Sequence, residues 1–229
     1  MIMEPAGVVH DTSAPHPALI DCVDLARTYG SGVAAVVAVH GATCQVLAGD
    51  RIALTGPSGS GKSTLLHLFT GLEQPTAGYI DWPALPLRTD IGLVFQGPSL
   101  LPALDVIENV ALPLLLAGEQ PAAATTRARQ ALERLDIADL AAALPDTLSG
   151  GQAQRVAIAR VLAARPLLIL ADEPTGQLDR NTADHVMSVL TATADEVGAA
   201  LVVATHDPLV AVNLAQQWEM RDGRLSVTR

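Results

Sequence analysis

The chain is poor in lysine and cysteine, and its basic residues are outnumbered. Lys62 is the only lysine among 229 residues, and every other basic side chain is an arginine or histidine. Acidic residues exceed lysine and arginine by 24 to 14, for a net charge of −10. That balance argues against nucleic acid as the main partner, because binding a phosphate backbone rests on lysine and arginine. Cys22 and Cys44 are too few for a disulfide framework and lack C-x-x-C spacing, so they read as buried reduced thiols. Residues 1–18 hold Glu4 and Asp11 but no lysine or arginine. They lack the basic start of a signal peptide and read as a loose, Pro- and His-containing tail. Residues 30–49 carry no formal charge, yet they contain four glycines, His40, Thr43 and Gln45. Two strands with a turn near Gly41 fit that stretch better than a membrane-spanning helix. The chain is therefore expected to be soluble, with a substantial core. No internal repeat is visible.

The lone lysine stands in the most informative stretch. Gly56, Pro57, Ser58, Gly59, Ser60, Gly61, Lys62 and Ser63 read G-x-x-x-x-G-K-S. Residues 51–55 before them suit a buried strand, and residues 63–70 after them suit a helix. Strand, glycine loop and helix together form a phosphate cradle, with backbone N–H groups and the helix N-terminus converging on one point. Lys62 is placed for the β- and γ-phosphates of a nucleotide, and the Ser63 hydroxyl for Mg²⁺. An ammonium fits here where a planar guanidinium would not.

Around the loop the pattern is α/β. Residues 19–27, 33–39 and 43–47 read as strands of an antiparallel layer, followed by short strands at 79–82 and 91–95. A helical insertion over about 97–164 interrupts the core. Asp105 and Glu108 can cap its first helix, which Pro113 is expected to kink or end. Residues 122–135 and 137–143 read as helices. Ser149 and Gln152 stand in capping-box spacing and open a helix that stops before Pro166. Residues 167–171 are a continuous apolar run of parallel-strand type, 180–197 form an amphipathic helix, and 199–204 form another buried strand. Residues 208–215 read as a helix, and a hairpin turns at Asp222-Gly223. Strands alternating with helices imply a mainly parallel core sheet.

Asp172 and Glu173 emerge from the apolar run 167–171. The first can reach a Mg²⁺ shell, and the second can orient or deprotonate water. Residues 148–160 read L-S-G-G-Q-A-Q-R-V-A-I-A-R. With the G-x-x-x-x-G-K-S loop before them and A-D-E-P-T-G at 171–176 after them, they resemble the ABC ATPases over about residues 19–227. The resemblance implies a P-loop NTPase fold of ABC type, with an antiparallel β-subdomain and a helical subdomain, and ATP with Mg²⁺ as ligands. It implies Tyr29 as the aromatic residue stacking on adenine, and Gly56 through Ser63 and Thr64 as the phosphate site. Ser63, Gln96 and Asp172 are implied metal contacts, and Glu173, His206 and Gln96 catalytic ones. Asp179 matches the aspartate of the loop after A-D-E-P-T-G. Ser149, Gly150, Gly151 and Gln152 would complete the nucleotide site of a second subunit. Gln177 departs from the family's usual Asn or Ala.

The resemblance further implies a head-to-tail ATPase dimer, most simply a homodimer, that energises a separate membrane permease from the cytoplasmic face. Leu100, Leu101, Pro102 and Leu104 either line a cleft for the permease or pack within the insertion. Residues 91–96, 100–102, 108–114 and 171–176 are similar to the lipoprotein-release and macrolide-efflux branch. Some relatives there transmit motion across the membrane without passing cargo, as the cell-division ATPase does. A soluble ABC protein of DNA repair or translation is a third reading. The absence of coiled coils, zinc motifs and paired ATPase domains counts against it.

Overall fold

The computed structural model describes residues 17–86 and 88–228. Most of the tail expected at 1–18 therefore lies outside the described residues. Two sheets organise the chain. The smaller is antiparallel, in the order β2-β1-β4, from β1 (Ala18–Tyr29), β2 (Val36–Leu47) and β4 (Ala77–Asp81). The larger runs β5-β6-β7-β3-β8-β9. It comprises β3 (Arg51–Thr55), β5 (Ile91–Val94), β6 (Leu168–Asp172), β7 (Ala200–Ala204), β8 (Gln216–Arg221) and β9 (Arg224–Thr228). All pairings in it are parallel except β8 with β9.

The central strands are apolar throughout because both faces are covered. Leu168 and Leu170, with Val202 and Leu54, enter the core shared with the antiparallel sheet and α1 (Lys62–Thr70). The alternate residues Ile169, Ala171, Leu201, Val203 and Ala53 enter the core on the other face. That second core is filled by α2 (Val106–Leu116), α3 (Pro121–Arg134), α4 (Gly150–Ala164) and α5 (Arg180–Val197). One strand thus feeds two cores, as its period-two geometry requires. No helix among the described residues is long and apolar enough to cross a membrane.

Several expected boundaries change. The turn near Gly41 is a bulge inside one continuous strand, β2. Between the pairs Leu25↔Ala42 and Arg27↔Val39 the register slips by one residue, and Gly41 supplies the φ of +63° that this requires. A glycine that permits positive φ serves a turn or a bulge equally well. Pro113 lies inside α2 without ending it. The capping box of Asp105 with Glu108 and the burial of Val106, Val110 and Leu114 outweigh one lost backbone bond. The helix expected over 137–143 shrinks to a 3₁₀ turn at Ala138–Leu140, and that over 208–215 to α6 (Pro208–Ala211).

Asn109 locks the start of the helical insertion. It is fully buried. Its Oδ1 accepts from Leu101 N (2.8 Å), and its Nδ2 donates to the carbonyls of Leu101 (3.1 Å), Leu104 (2.9 Å) and Asp105 (3.0 Å). Asn109→Ala strands these backbone groups in the interior. It is expected to cost about 2–3 kcal/mol, read as a fall in Tm of roughly 4–10 °C in a thermal melt.

Candidate active site

Several of the residues singled out by sequence follow the carboxyl ends of parallel strands, where open α/β sheets place ligands. The phosphate loop follows β3, Gln96 follows β5, Asp172 ends β6, and His206 follows β7.

The loop is held from three sides. A β-carbon at Gly56 would lie 2.0 Å from the carbonyl oxygen of Met220 on β8. A β-carbon at Gly61 would lie 2.1 Å from the carbonyl oxygen of Ala38 on β2. Glycine is therefore demanded by packing as well as by the positive φ of +143° and +103° at these positions. The hairpin turn closes the third side: Gly223 N donates to Ser60 O (3.0 Å), and His40 N donates to Gly223 O (2.8 Å). Lys62 is 7% exposed, and its Nζ donates to the carbonyls of Gly56 (2.8 Å) and Pro57 (3.2 Å). The ammonium thus spans the loop, held by carbonyl dipoles and by the charge of the nearby Asp172.

Asp172 is buried, and burial raises its carboxyl above the ordinary range, with the neighbouring Glu173 charge pushing the same way. A hydrogen bond from the Ser63 side chain partly opposes this. Among the described residues no cluster of three His, Cys, Asp or Glu side chains could hold a metal. A hydroxyl paired with one buried carboxylate nevertheless fits Mg²⁺. That ion takes one or two protein oxygens and completes its shell with phosphate and water.

Glu173 adopts a left-handed backbone, φ +47°, rare for a residue with a β-carbon. Its N–H donates to Ala204 O (2.9 Å), which pins the turn to β7. His206 Nδ1 lies 2.9 Å from both carboxylate oxygens of Glu173. The Glu173 side chain is 14% exposed and His206 68%, so a sheltered carboxylate is gripped by an open imidazole. An ionised carboxylate only accepts, so Nδ1 is the donor, and Nε2 is the ring nitrogen that makes no bond to Glu173.

A sequence profile of the ABC transporter family matches residues 39–176. The chain belongs to the ABC transporter ATP-binding family. A dimeric, post-hydrolysis structure of the ATP-binding cassette MJ0796 bound to ADP and Pi is 34% identical. It superposes with a TM-score of 0.85 over 92% of this chain and 99% of that one. A second dimeric structure, of MJ0796 described as a bacterial ABC transporter cassette, is 36% identical, with a TM-score of 0.84 over 92% of this chain and 97% of that one. CbiO1 from Clostridium perfringens, part of the cbiONQ ABC transporter complex, is 30% identical, with a TM-score of 0.76 over 93% of this chain and 88% of that one. The fold is that of the α/β P-loop NTPases, with one antiparallel and one mostly parallel sheet.

Not every predicted residue of this cassette joins the cluster. Tyr29 ends β1, and the Arg27 guanidinium covers its ring at 4.6 Å. Gln96 is exposed beyond β5. Ser149 and Gln152 close a capping box at the start of α4, with Gln152 Oε1 accepting from Ser149 N at 2.8 Å. No hydrogen bond among the described residues joins 149–152 to the loop 56–63. Instead, a β-carbon at Gly150 would stand 2.9 Å from Oε1 of Gln177, so the unusual amide packs on the signature glycines of its own chain. Asp179 caps α5, accepting from the N–H (3.1 Å) and hydroxyl (2.6 Å) of Thr182, and these bonds lower its pKa. Leu100 packs against the helical core, and Leu101 is exposed.

Two residues escaped the sequence reading. Gln154 Nε2 donates to Phe95 O (3.2 Å), and Arg160 Nη1 donates to Ser99 O (2.9 Å). Both project from α4 and bracket the segment that carries Gln96. Gln154 is 1% exposed. A second amide two residues after the L-S-G-G-Q string was the available signal, since a buried amide must find a partner.

Proposed function

We propose that the chain binds and hydrolyses ATP as one half of a head-to-tail ATPase dimer that drives a separate membrane permease. The carrying observation is the separation between the phosphate loop and an exposed signature helix start that meets no part of that loop. The helix N-terminus is suited to phosphate, so its nucleotide would come from a second subunit. The dimeric cassette bound to ADP and Pi supports this arrangement.

In this reading Gly56 through Ser63 and Thr64 bind the triphosphate, Lys62 meets its β- and γ-oxygens, and Tyr29 stacks on the base after Arg27 shifts. Ser63, Asp172 and Gln96 would hold Mg²⁺, which when bound neutralises charge on the phosphates. Glu173 takes a proton from the attacking water. His206 orients Glu173 through Nδ1 and stands near the γ-phosphate. Ser149, Gly150, Gly151 and Gln152 close over the partner's nucleotide, and Asp179 shapes the subunit contact. Loss of the γ-phosphate removes the bridge and lets the subunits part.

A groove of about 660 Å³ beside β5 is lined by Leu72, Phe95, Leu114, Leu116 and their neighbours. Leu72 and Leu116 are 62% and 79% exposed. This groove, rather than residues 100–104, is our candidate seat for a cytoplasmic helix of the permease, which would hold the chain peripherally at the membrane. The pattern at 91–96 and 171–176 favours the lipoprotein-release and macrolide-efflux branch. A neighbouring permease gene with four spans and a large extracellular domain would support that branch, whereas an importer permease with a binding protein would count against it.

Lys62→Ala tests the assignment. It is expected to lower ATP turnover by at least about 100-fold, since in this reading Lys62 supplies a positive charge to the β- and γ-phosphates. It is also expected to abolish ATP-dependent dimerisation in sedimentation runs. Dimerisation that persists undiminished would place the nucleotide elsewhere. Retention on nucleic acid at moderate salt, with no recovery from membranes, would overturn the permease reading.

A further inference from the structure

The two cysteines, 22 residues apart in sequence, meet in space. Cys22 on β1 and Cys44 on β2 are directly opposed in the antiparallel register. Their sulfurs lie 3.2 Å apart, and Cys22 Sγ donates to the Cys44 carbonyl at 3.3 Å. We propose that Cys22 and Cys44 form a reversible cross-strand disulfide that staples β1 to β2.

Three features of the fold carry this. Opposed residues of an antiparallel pair have α-carbons about 4.5–5.5 Å apart. That spacing falls inside the disulfide window of roughly 4.4–6.8 Å, so the strands need not move. The sulfurs must approach to about 2.05 Å, a distance that side-chain rotation can cover. Finally, β2 is an edge strand of its sheet, so opening of one edge exposes the pair. Cys44 retains 9% exposure while Cys22 has none, so the route in passes Cys44 and suits a small oxidant.

Hydrogen peroxide is the co-reactant of the right size. The hydrogen bond from the Cys44 side chain lowers the pKa of the Cys22 thiol, while Cys44 itself is pushed up by that neighbour and by burial, so Cys22 is the better nucleophile of the two. The Cys22 sulfur attacks peroxide, the O–O bond breaks, and a sulfenic acid forms with release of hydroxide, which takes up the Cys22 proton to give water. The Cys44 sulfur then displaces the sulfenic oxygen, which leaves as a second water carrying the Cys44 proton. Each sulfur loses one electron and the two peroxide oxygens gain them. The closed loop contains Tyr29 and Ala38, so the staple fixes the strand pair that walls the phosphate loop. The proposal stands on the register of these strands and does not depend on the ATPase reading.

The test uses the full-length protein, titrated with hydrogen peroxide, blocked with N-ethylmaleimide under denaturing conditions and weighed intact. The expected product has lost the mass of two hydrogens, takes up no maleimide, maps to a 22–44 peptide link and is restored by dithiothreitol. Its Tm is expected to rise by about 5 °C or more. Cys44→Ser should stop at a sulfenic or sulfinic acid on Cys22, Cys22→Ala should leave Cys44 largely unoxidised, and neither should form the link. If wild-type protein takes up two maleimides at every dose, or gains only oxygen or intermolecular crosslinks, the proposal is overturned. The wild-type masses decide this even where a variant fails to fold.

Discussion

Glu173→Gln is expected to reduce ATP turnover by about 10²–10⁴-fold, the usual worth of a positioned general base, while ATP affinity stays within a fewfold of wild type. The amide is nearly isosteric and occupies the same left-handed backbone, whose N–H still reaches Ala204 O. Its Oε1 can accept from His206 Nδ1 as the carboxylate does now, so the pair at 2.9 Å keeps its shape. What disappears is the proton acceptor. A site that binds nucleotide but does not cleave it should hold two subunits together. The variant should therefore sediment as a dimer in ATP and as a monomer in ADP, where wild-type protein shows only a transient dimer. Single-turnover kinetics check the chemical step, and sedimentation checks the trap. Wild-type turnover in the variant would remove Glu173 from the role of base. Lost turnover without a dimer would leave the base in place and sink the clamp.

What could be read from the sequence is what depends on neighbours in the chain. The capping boxes at Asp105 and Ser149 are three-residue spacings, and both form. The runs that become β6 and β7 are apolar on both faces because helices cover both faces, and a continuous run reports that directly. The phosphate loop announced itself through glycine spacing. Its walls did not. Ala38 and Met220 come from strands, and Gly223 from a hairpin turn, about 20 residues before it and about 160 after it, and only strand pairing brings them together. The same holds for Cys22 and Cys44, whose separation of 22 residues carries no signal until the register of β1 and β2 is known. In the sequence Gly41 suggests a turn because positive φ is all a glycine discloses, and a bulge uses it equally. The 3₁₀ turn at Ala138–Leu140 is another case. The alanines and Leu140 of residues 137–143 favour helix, but the connection between α3 and α4 is folded back on itself, with Val106 N and Ile107 N donating to Ala143 O and Ala141 O. Tertiary bonds there override propensity.

The walls of the phosphate loop lead to the second large effect. Gly61→Ala is expected to destabilise the nucleotide-free protein by about 3 kcal/mol or more and to weaken ATP binding at least about tenfold through distortion of the cradle. Two costs add. The backbone at φ +103° lies outside the regions open to an alanine. In addition, the new β-carbon would sit 2.1 Å from the Ala38 carbonyl oxygen. That oxygen belongs to a paired strand and cannot rotate away, unlike the Met220 Cε at 2.9 Å. Gly59→Ala separates the two costs. Its φ of +78° is also left-handed, yet a β-carbon there would meet nothing within 4 Å. It should therefore pay only the backbone penalty, about 1–2 kcal/mol. Urea unfolding of both variants without nucleotide measures the difference, and the linear fits must share one slope for the comparison to hold. A gap of about 1–2 kcal/mol between them assigns the excess to the wall of β2. Equal losses would mean that the loop yields without touching Ala38, and that backbone strain alone demands glycine. The gap also bears on Tyr29, because β2 pairs with β1 along its length up to Val36 opposite Tyr29. If pushing on Ala38 shifts that ladder, Gly61→Ala should lose base selectivity between ATP and GTP as well as affinity, whereas Gly59→Ala should preserve it.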